Sequence, residues 1–133
     1  MSGERATYLD ASAIVKLVVA EPESAALRRY LRRRRTRVSS ALAKAEVARA
    51  LLPLGEPALR RGQEVLARLE LIRVSDRILA AAGLLLPAEL RTLDAIHLAT
   101  AQHLGSDLAR LVTYDERLTA AAAATGCPVA APH

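Results

Sequence analysis

Asp10, Glu46, Asp94 and Asp115 are the residues of this 133-residue chain whose type and spacing could do chemistry. Each directly follows a short β-branched or apolar run, or lies one short helix beyond it. Carboxylates are the ligands of hard divalent cations, and four of them brought to one edge of a sheet would make an all-oxygen socket for Mg²⁺ or Mn²⁺. In a chain of net charge +5, that socket points to phosphodiester chemistry, in which one or two ions acidify a water, aim it at phosphorus and stabilise the departing oxygen. Two unit charges about 4 Å apart interact by about 4 kcal/mol at an effective dielectric of 20. Crowded carboxylates without metal should therefore hold at least one proton above its usual pKa, and divalent metal should stabilise the fold.

The elements that must position these acids follow from apolar periodicity and breakers. Ala6-Thr7-Tyr8-Leu9 reads as a strand ending at Asp10, followed by a buried helix over 12–20. Pro22 opens a second helix with Leu27, Tyr30 and Leu31 on one face and Arg28, Arg29, Arg32 and Arg33 on the other. Val38 centres a minimal second strand, and Ser39 or Ser40 caps a helix over 41–52 that carries Glu46 and is broken by Pro53, Gly55 and Pro57. A helix over 58–70 leads to a third strand at 71–74, and Ser75 or Asp76 caps a helix toward Leu86. Thr92 caps a helix over 93–104 with Asp94 in its first turn. A fourth strand at 111–113 turns through Tyr114-Asp115 into an alanine-rich helix stopped by Gly126, and 128–130 adds an edge strand. Such alternation predicts an α/β chain, a three-layer α/β/α sandwich around a mainly parallel sheet, organised as one domain over 1–133. Ligands of such sheets bind beyond the carboxyl ends of the strands, where Asp10 and Asp115 fall.

Composition narrows the classes. With 52% hydrophobic residues and one cysteine, the chain can build a core without a disulfide framework or a cysteine-rich zinc site, which suits a reducing cytoplasm. The apolar run before Asp10 is too short for an export signal, and Ile78 to Leu86 is too short to span a bilayer, so no membrane association is expected. Seven arginines between Arg28 and Arg37 and a pI near 10.1 favour a polyanionic partner, whereas the absence of Phe and Trp argues against stacking on single-stranded bases. No glycine-rich phosphate loop, Asp-x-Asp phosphatase motif or Gly-x-Ser-x-Gly elbow is present.

Taken singly, each acid has a structural reading. Asp10 and Asp115 suit helix N-caps, Asp94 suits a helix dipole, and Glu46 a solvated helix face. Against this, Ser12 could cap in place of Asp10, and Glu46 stands among Leu42, Ala45 and Val47. The pattern leaves both readings open. His97 reads as a packed histidine, since no second histidine or cysteine lies at metal-ligand spacing; His103 and His133 suggest nothing further. Lys16 could reach a phosphate or simply lie along the surface of its helix. The arginine run, Arg32, Arg33 and Arg34 in particular, could contact RNA or solubilise an outer face.

Four segments carry a resemblance: Tyr8-Leu9-Asp10-Ala11-Ser12-Ala13, Ala45-Glu46-Val47, Leu93 to Ala101, and Val112-Thr113-Tyr114-Asp115-Glu116-Arg117-Leu118. In this order they resemble the acidic motifs of PIN-domain ribonucleases, most closely the VapC toxins of type II toxin–antitoxin pairs, over 7–129. Glu21-Pro22-Glu23-Ser24 also resembles a segment common in that group. The resemblance implies a single PIN-like domain and a Mg²⁺- or Mn²⁺-dependent endoribonuclease that cuts cellular RNA and arrests translation. It implies metal-site roles for Asp10, Glu46, Asp94 and Asp115, with Ser12 and Thr113 as supporting hydroxyls. It further implies a homodimer and a cognate VapB-like antitoxin that covers the acidic groove. The dense arginine run and the lack of Phe and Trp depart from a typical member. Two rivals remain: a PIN nuclease of RNA maturation or decay without an antitoxin, and a catalytically silent PIN-like binding module.

Overall fold

Three short strands carry buried residues and lie side by side at the centre of a sheet that helices cover on both faces. The computed structural model describes residues 3–133; Met1 and Ser2, which belong to the expected 1–133 domain, lie outside them. Among the described residues, β1 (Ala6–Leu9), β2 (Arg37–Ser40), β3 (Glu70–Ile72), β4 (Leu108–Val112) and β5 (Val129–Ala130) form one sheet in the order β3-β2-β1-β4-β5, with every pairing parallel. Tyr8 is registered against Val38 on one side and Leu111 on the other. All four residues of β1 are buried, as expected for a central parallel strand covered on both faces.

One helical layer holds α1 (Ala11–Lys16), α2 (Ser24–Leu31), α3 (Ala43–Leu51) and α4 (Glu56–Ala67), whose Ile14, Leu27, Val47 and Leu66 pack with Leu9 and Val112. The other holds α6 (Thr92–His103) and α7 (Glu116–Ala124), whose Leu98 and Leu118 pack with Tyr8, Val38 and Leu111. α5 (Asp76–Gly83) lies against α6 through Ile78, Ala82, Ala95 and Ile96. This is the expected three-layer α/β/α sandwich. Gly62 is where α3 and α4 approach most tightly, since a Cβ there would stand 2.5 Å from Leu51 Cδ1. No helix among the described residues is long and apolar enough to cross a membrane.

Boundaries differ from the sequence reading where local chemistry competes. α1 ends at Lys16 instead of running to Ala20, because Pro22 disfavours helical backbone at Glu21 and the β-branched pair Val18-Val19 gives little support. Ser24 locks the resulting reversal, its hydroxyl donating to the Val19 carbonyl and accepting from the Glu21 N–H. Pro57 does not break a helix; it lies in the first turn of α4, where its missing N–H is harmless. Thr92 is not the cap of α6 but its first residue, and Arg91 occupies the N-cap position without a capping side chain.

Candidate active site

The chain leaves β1 toward β2 and β3 on one side, then returns to place β4 and β5 on the other. The crevice of such a sheet opens where strand order reverses, at the carboxyl ends of β1 and β4. Asp10 follows β1 there, Thr113 and Asp115 follow β4, and the Asp10 N–H donates to the Val112 carbonyl at 3.2 Å.

Asp10 is 4% exposed. Its Oδ1 accepts from the Ser12 hydroxyl at 2.6 Å and the Ala13 N–H at 3.0 Å, and its Oδ2 from the Thr113 hydroxyl at 2.5 Å. The residue is therefore both the N-cap of α1 and a buried acid at the switch point. Burial pushes its carboxyl above the usual range, and hydrogen bonds from Ser12, Thr113 and Ala13 pull part of the way back. A raised acid was expected from crowded carboxylates; the cause here is burial. Ser12 also accepts from the Tyr114 N–H and Thr113 from the Asp115 N–H, so these hydroxyls tie the two strand ends together.

Asp115 divides its oxygens. Oδ1 caps α7 by accepting from the N–H groups of Arg117 and Leu118 at 2.9 and 3.0 Å. Oδ2 faces the Arg91 guanidinium at 3.1 Å, and another nitrogen of the same guanidinium reaches Asp94 Oδ2 at 3.2 Å. Arg91 thus bridges the acids of α6 and α7. Sequence reading missed it, although a cation at a helix N-terminus, where the dipole favours anions, is a signal that something else holds it there.

Glu46 is reached from β1 through a histidine. His97, 1% exposed, lies between the Tyr8 hydroxyl, 2.7 Å from Nδ1, and Glu46 Oε1, 2.5 Å from Nε2. A carboxylate only accepts, so Nε2 carries the proton toward Glu46, and in a neutral ring Nδ1 accepts from Tyr8. Burial raises the Tyr8 hydroxyl far above its ordinary pKa, which keeps it a proton donor. His97 is packed, as expected, but its hydrogen bond to Glu46, 51 residues away in sequence, was not foreseen.

Thr113 links Asp10 to Asp115 and Arg91 links Asp115 to Asp94, whereas Glu46 is held separately by His97; among the described residues no three His, Cys, Asp or Glu side chains are gathered so as to hold a metal ion as they stand. Each carboxylate is engaged by an internal donor: Ser12 and Thr113, His97, or Arg91. The donor set is chemically right for Mg²⁺ or Mn²⁺, being all-oxygen carboxylate without thiolate.

The cations singled out in the sequence are engaged by other partners than the four acids. Lys16 is held between Glu21 at 3.3 Å and Glu23 at 2.8 Å, over the Tyr114 ring. Arg34 stacks on Tyr30 and donates to its carbonyl, while Arg37 donates to the carbonyls of Arg34 and Leu31. Both close the end of α2 and are partly structural. Arg32 and Arg33 are exposed. The run leads into the start of β2, beside Thr7, roughly 10 Å of strand away from Asp10, at the opposite end of the sheet from the acids.

The chain matches the PIN domain model over residues 7–124. It belongs to the PIN-domain family. Within that family its sequence relatives are VapC ribonucleases. Ribonuclease VapC46 of Mycobacterium tuberculosis is 66% identical over 127 residues, covering 96% of this chain and 98% of the relative. Ribonuclease VapC35 of the same species is 43% identical over 129 residues, covering 94% and 96%. Two solved PIN structures share the fold at low identity. One is M. tuberculosis VapC20, a sarcin-ricin loop cleaving toxin, with TM-score 0.73 and 16% identity over 86% of this chain and 94% of that one. The other is a chain of a toxin–antitoxin complex from Klebsiella pneumoniae, with TM-score 0.72 and 22% identity over 96% and 98%. This PIN domain therefore has the fold and family expected from its four acidic segments.

Proposed function

We propose that this chain is a Mg²⁺- or Mn²⁺-dependent endoribonuclease, the toxin of a type II toxin–antitoxin pair, acting in the cytoplasm on cellular RNA to inhibit translation and growth. The observation that carries the reading is the 66% identity to a VapC ribonuclease over nearly the full length of both chains. The contacts that join Asp10, Asp115 and Asp94 through Thr113 and Arg91 at the carboxyl ends of β1 and β4 support it. One PIN-like nuclease unit over 1–133, working as a homodimer, completes the proposal. A cognate VapB-like antitoxin is its partner, a reading supported by fold relatives that include VapBC2 from Rickettsia felis bound to promoter DNA.

Asp10, Asp94, Asp115 and Glu46 would hold the cation. When bound, a divalent ion supplies Lewis acidity toward phosphoryl oxygen and makes water a stronger acid at neutral pH. Ser12 and Thr113 fix both Asp10 oxygens, so this carboxylate loses little freedom on binding an ion. Asp115 is oriented by its own helix, leaving Oδ2 toward the crevice. His97 orients Glu46 through its Nε2–H. The α6 and α7 N-termini add positive ends of helix dipoles beside the substrate's phosphate.

Incubation of purified, antitoxin-free protein with total bacterial RNA in Mg²⁺ or Mn²⁺, followed by sequencing of new RNA ends, tests this. Discrete ends that vanish with EDTA and with Asp94→Asn are expected. No ends under either metal would favour a binding module.

The arginines act at a distance if they meet RNA at all. Replacing Arg32, Arg33 and Arg34 together with Gln should leave cleavage of a short oligonucleotide within about twofold. Affinity for a long structured RNA should fall several-fold, with a salt slope flatter by roughly one to two. Unchanged affinity and slope in a filter-binding titration would remove the RNA role.

A further inference from the structure

Arg91 is placed where helix formation does not ask for a cation. It occupies the N-cap position of the 12-residue α6, contributes no capping hydrogen bond and stands at the positive end of the helix dipole. Its carbonyl accepts the first helical hydrogen bond from Ala95 at 2.9 Å, a role any residue fills. Its side chain instead spans two elements, reaching Asp94 Oδ2 at 3.2 Å and Asp115 Oδ2 at 3.1 Å. These are the oxygens that a divalent ion would need, because Asp115 Oδ1 is committed to capping α7. The Arg91 side chain is 60% exposed, while Asp94 and Asp115 are 15% and 26% exposed. The guanidinium lies at the mouth of the crevice with the carboxylates beneath it.

A solvated ion pair of this kind is weak, so a divalent cation can displace it. The displaced guanidinium stays tethered three residues before Asp94, and its planar fork fits phosphate in the way it fits carboxylate. We propose that Arg91 competes with the divalent cation for Asp94 and Asp115 and, once displaced, binds the RNA phosphate at the cleavage site. Metal uptake and RNA binding are then coupled, because each favours the displaced arrangement. This inference rests on the metal-nuclease reading.

Calorimetric titration of Mn²⁺ into the RNA-free protein reads the first half of the inference without activity. Arg91→Gln should bind Mn²⁺ about three- to tenfold more tightly than wild type, with Arg91→Lys between them. Arg117→Gln removes the same charge from the first turn of α7, where no hydrogen bond or ion pair from its side chain to these acids is seen, and should stay within about twofold of wild type. At saturating Mn²⁺, Arg91→Gln should nevertheless cleave RNA at least tenfold more slowly, with a raised KM. Tighter metal with slower cleavage is the opposite of what a merely structural role gives, since a loosened site loses both together. Unchanged or weaker Mn²⁺ binding in Arg91→Gln, or equal tightening in Arg117→Gln, overturns competition while the metal site stands. Undiminished cleavage at saturating Mn²⁺ overturns the phosphate contact. Absence of Mn²⁺ binding in both wild type and Arg91→Gln overturns the inference together with the metal-nuclease reading beneath it.

Discussion

Asp10→Asn is expected to abolish Mn²⁺-dependent RNA cleavage, by a hundredfold or more (about 2.7 kcal/mol), without lowering the unfolding temperature of the metal-free protein by more than about 3 °C. Two effects oppose each other at this residue. A carboxylate here is 4% exposed and is disfavoured by desolvation, the largest influence on its pKa. An amide avoids that penalty and can still accept from Ser12 and Ala13. Toward Thr113 it presents N–H groups in place of the oxygen that accepted the Thr113 hydroxyl proton, so that O–H loses its acceptor and some hydrogen bonding is lost. On the proposed function, an acid is retained here for chemistry at the expense of stability, a pattern that functional sites often show. Thermal unfolding with and without Mn²⁺ checks the balance: wild type should gain several degrees from millimolar Mn²⁺, and Asp10→Asn should gain almost none. A variant that melts far lower without metal would mean that the three hydrogen bonds to Asp10 outweigh its burial.

The pH dependence has a definite sign. The ordinary value is 3.8, and the folded value lies above it. Below 3.8 both folded and unfolded chains hold the proton, and the stability that the protonated form contributes is fully present. As pH rises from there through the folded value, the unfolded chain gives up its proton first, and that contribution is lost. Metal-free wild type should therefore lose stability across this window relative to Asp10→Asn, while its affinity for Mn²⁺ rises across the same window because the ion requires the carboxylate.

The positions of the four acids were legible because each is tied to a local signal. Asp10 and Asp115 end apolar strands and begin helices, and both do cap them. The alternation of β-branched runs with helical periodicity gave the parallel sandwich. Arg91 and His97 were not legible as partners of these acids, since their contacts depend on strand order. Arg91 meets Asp115 only because the starts of α6 and α7 come together, and His97 meets Glu46 only because α6 packs against β2 while α3 follows it. The placement of the arginine run was not legible for the same reason. Its charge is plain in the sequence, but the register of β2 with β1 puts it at the far end of the sheet, and two of its members cap α2.

His97 supports the second large effect. His97→Ala is expected to weaken Mn²⁺ binding by about ten- to a hundredfold, as loss of a hydrogen-bond partner behind a metal ligand commonly does, and to lower kcat/KM in parallel. It also removes the His97 acceptor from the completely buried Tyr8 hydroxyl and leaves it the Thr100 and Ser39 hydroxyls as neighbours, which costs up to about 1–3 kcal/mol in addition to the cavity. Stability and function therefore fall together in this variant, and Ala alone cannot separate a positioning role from packing. Gln can. Its amide nitrogen reaches about where Nε2 stands and keeps a donor toward Glu46, while the Tyr8 contact at Nδ1 is lost. His97→Gln should thus regain most of the Mn²⁺ affinity yet remain destabilised, and Tyr8→Phe should lose stability with metal affinity reduced only a few-fold. If Ala and Gln lose Mn²⁺ affinity equally, and in proportion to their melting temperatures, His97 is a core residue that happens to touch Glu46. If Gln parts the two readouts, the donor that His97 Nε2 presents to Glu46 is what aims this carboxylate, and the Tyr8 contact serves stability.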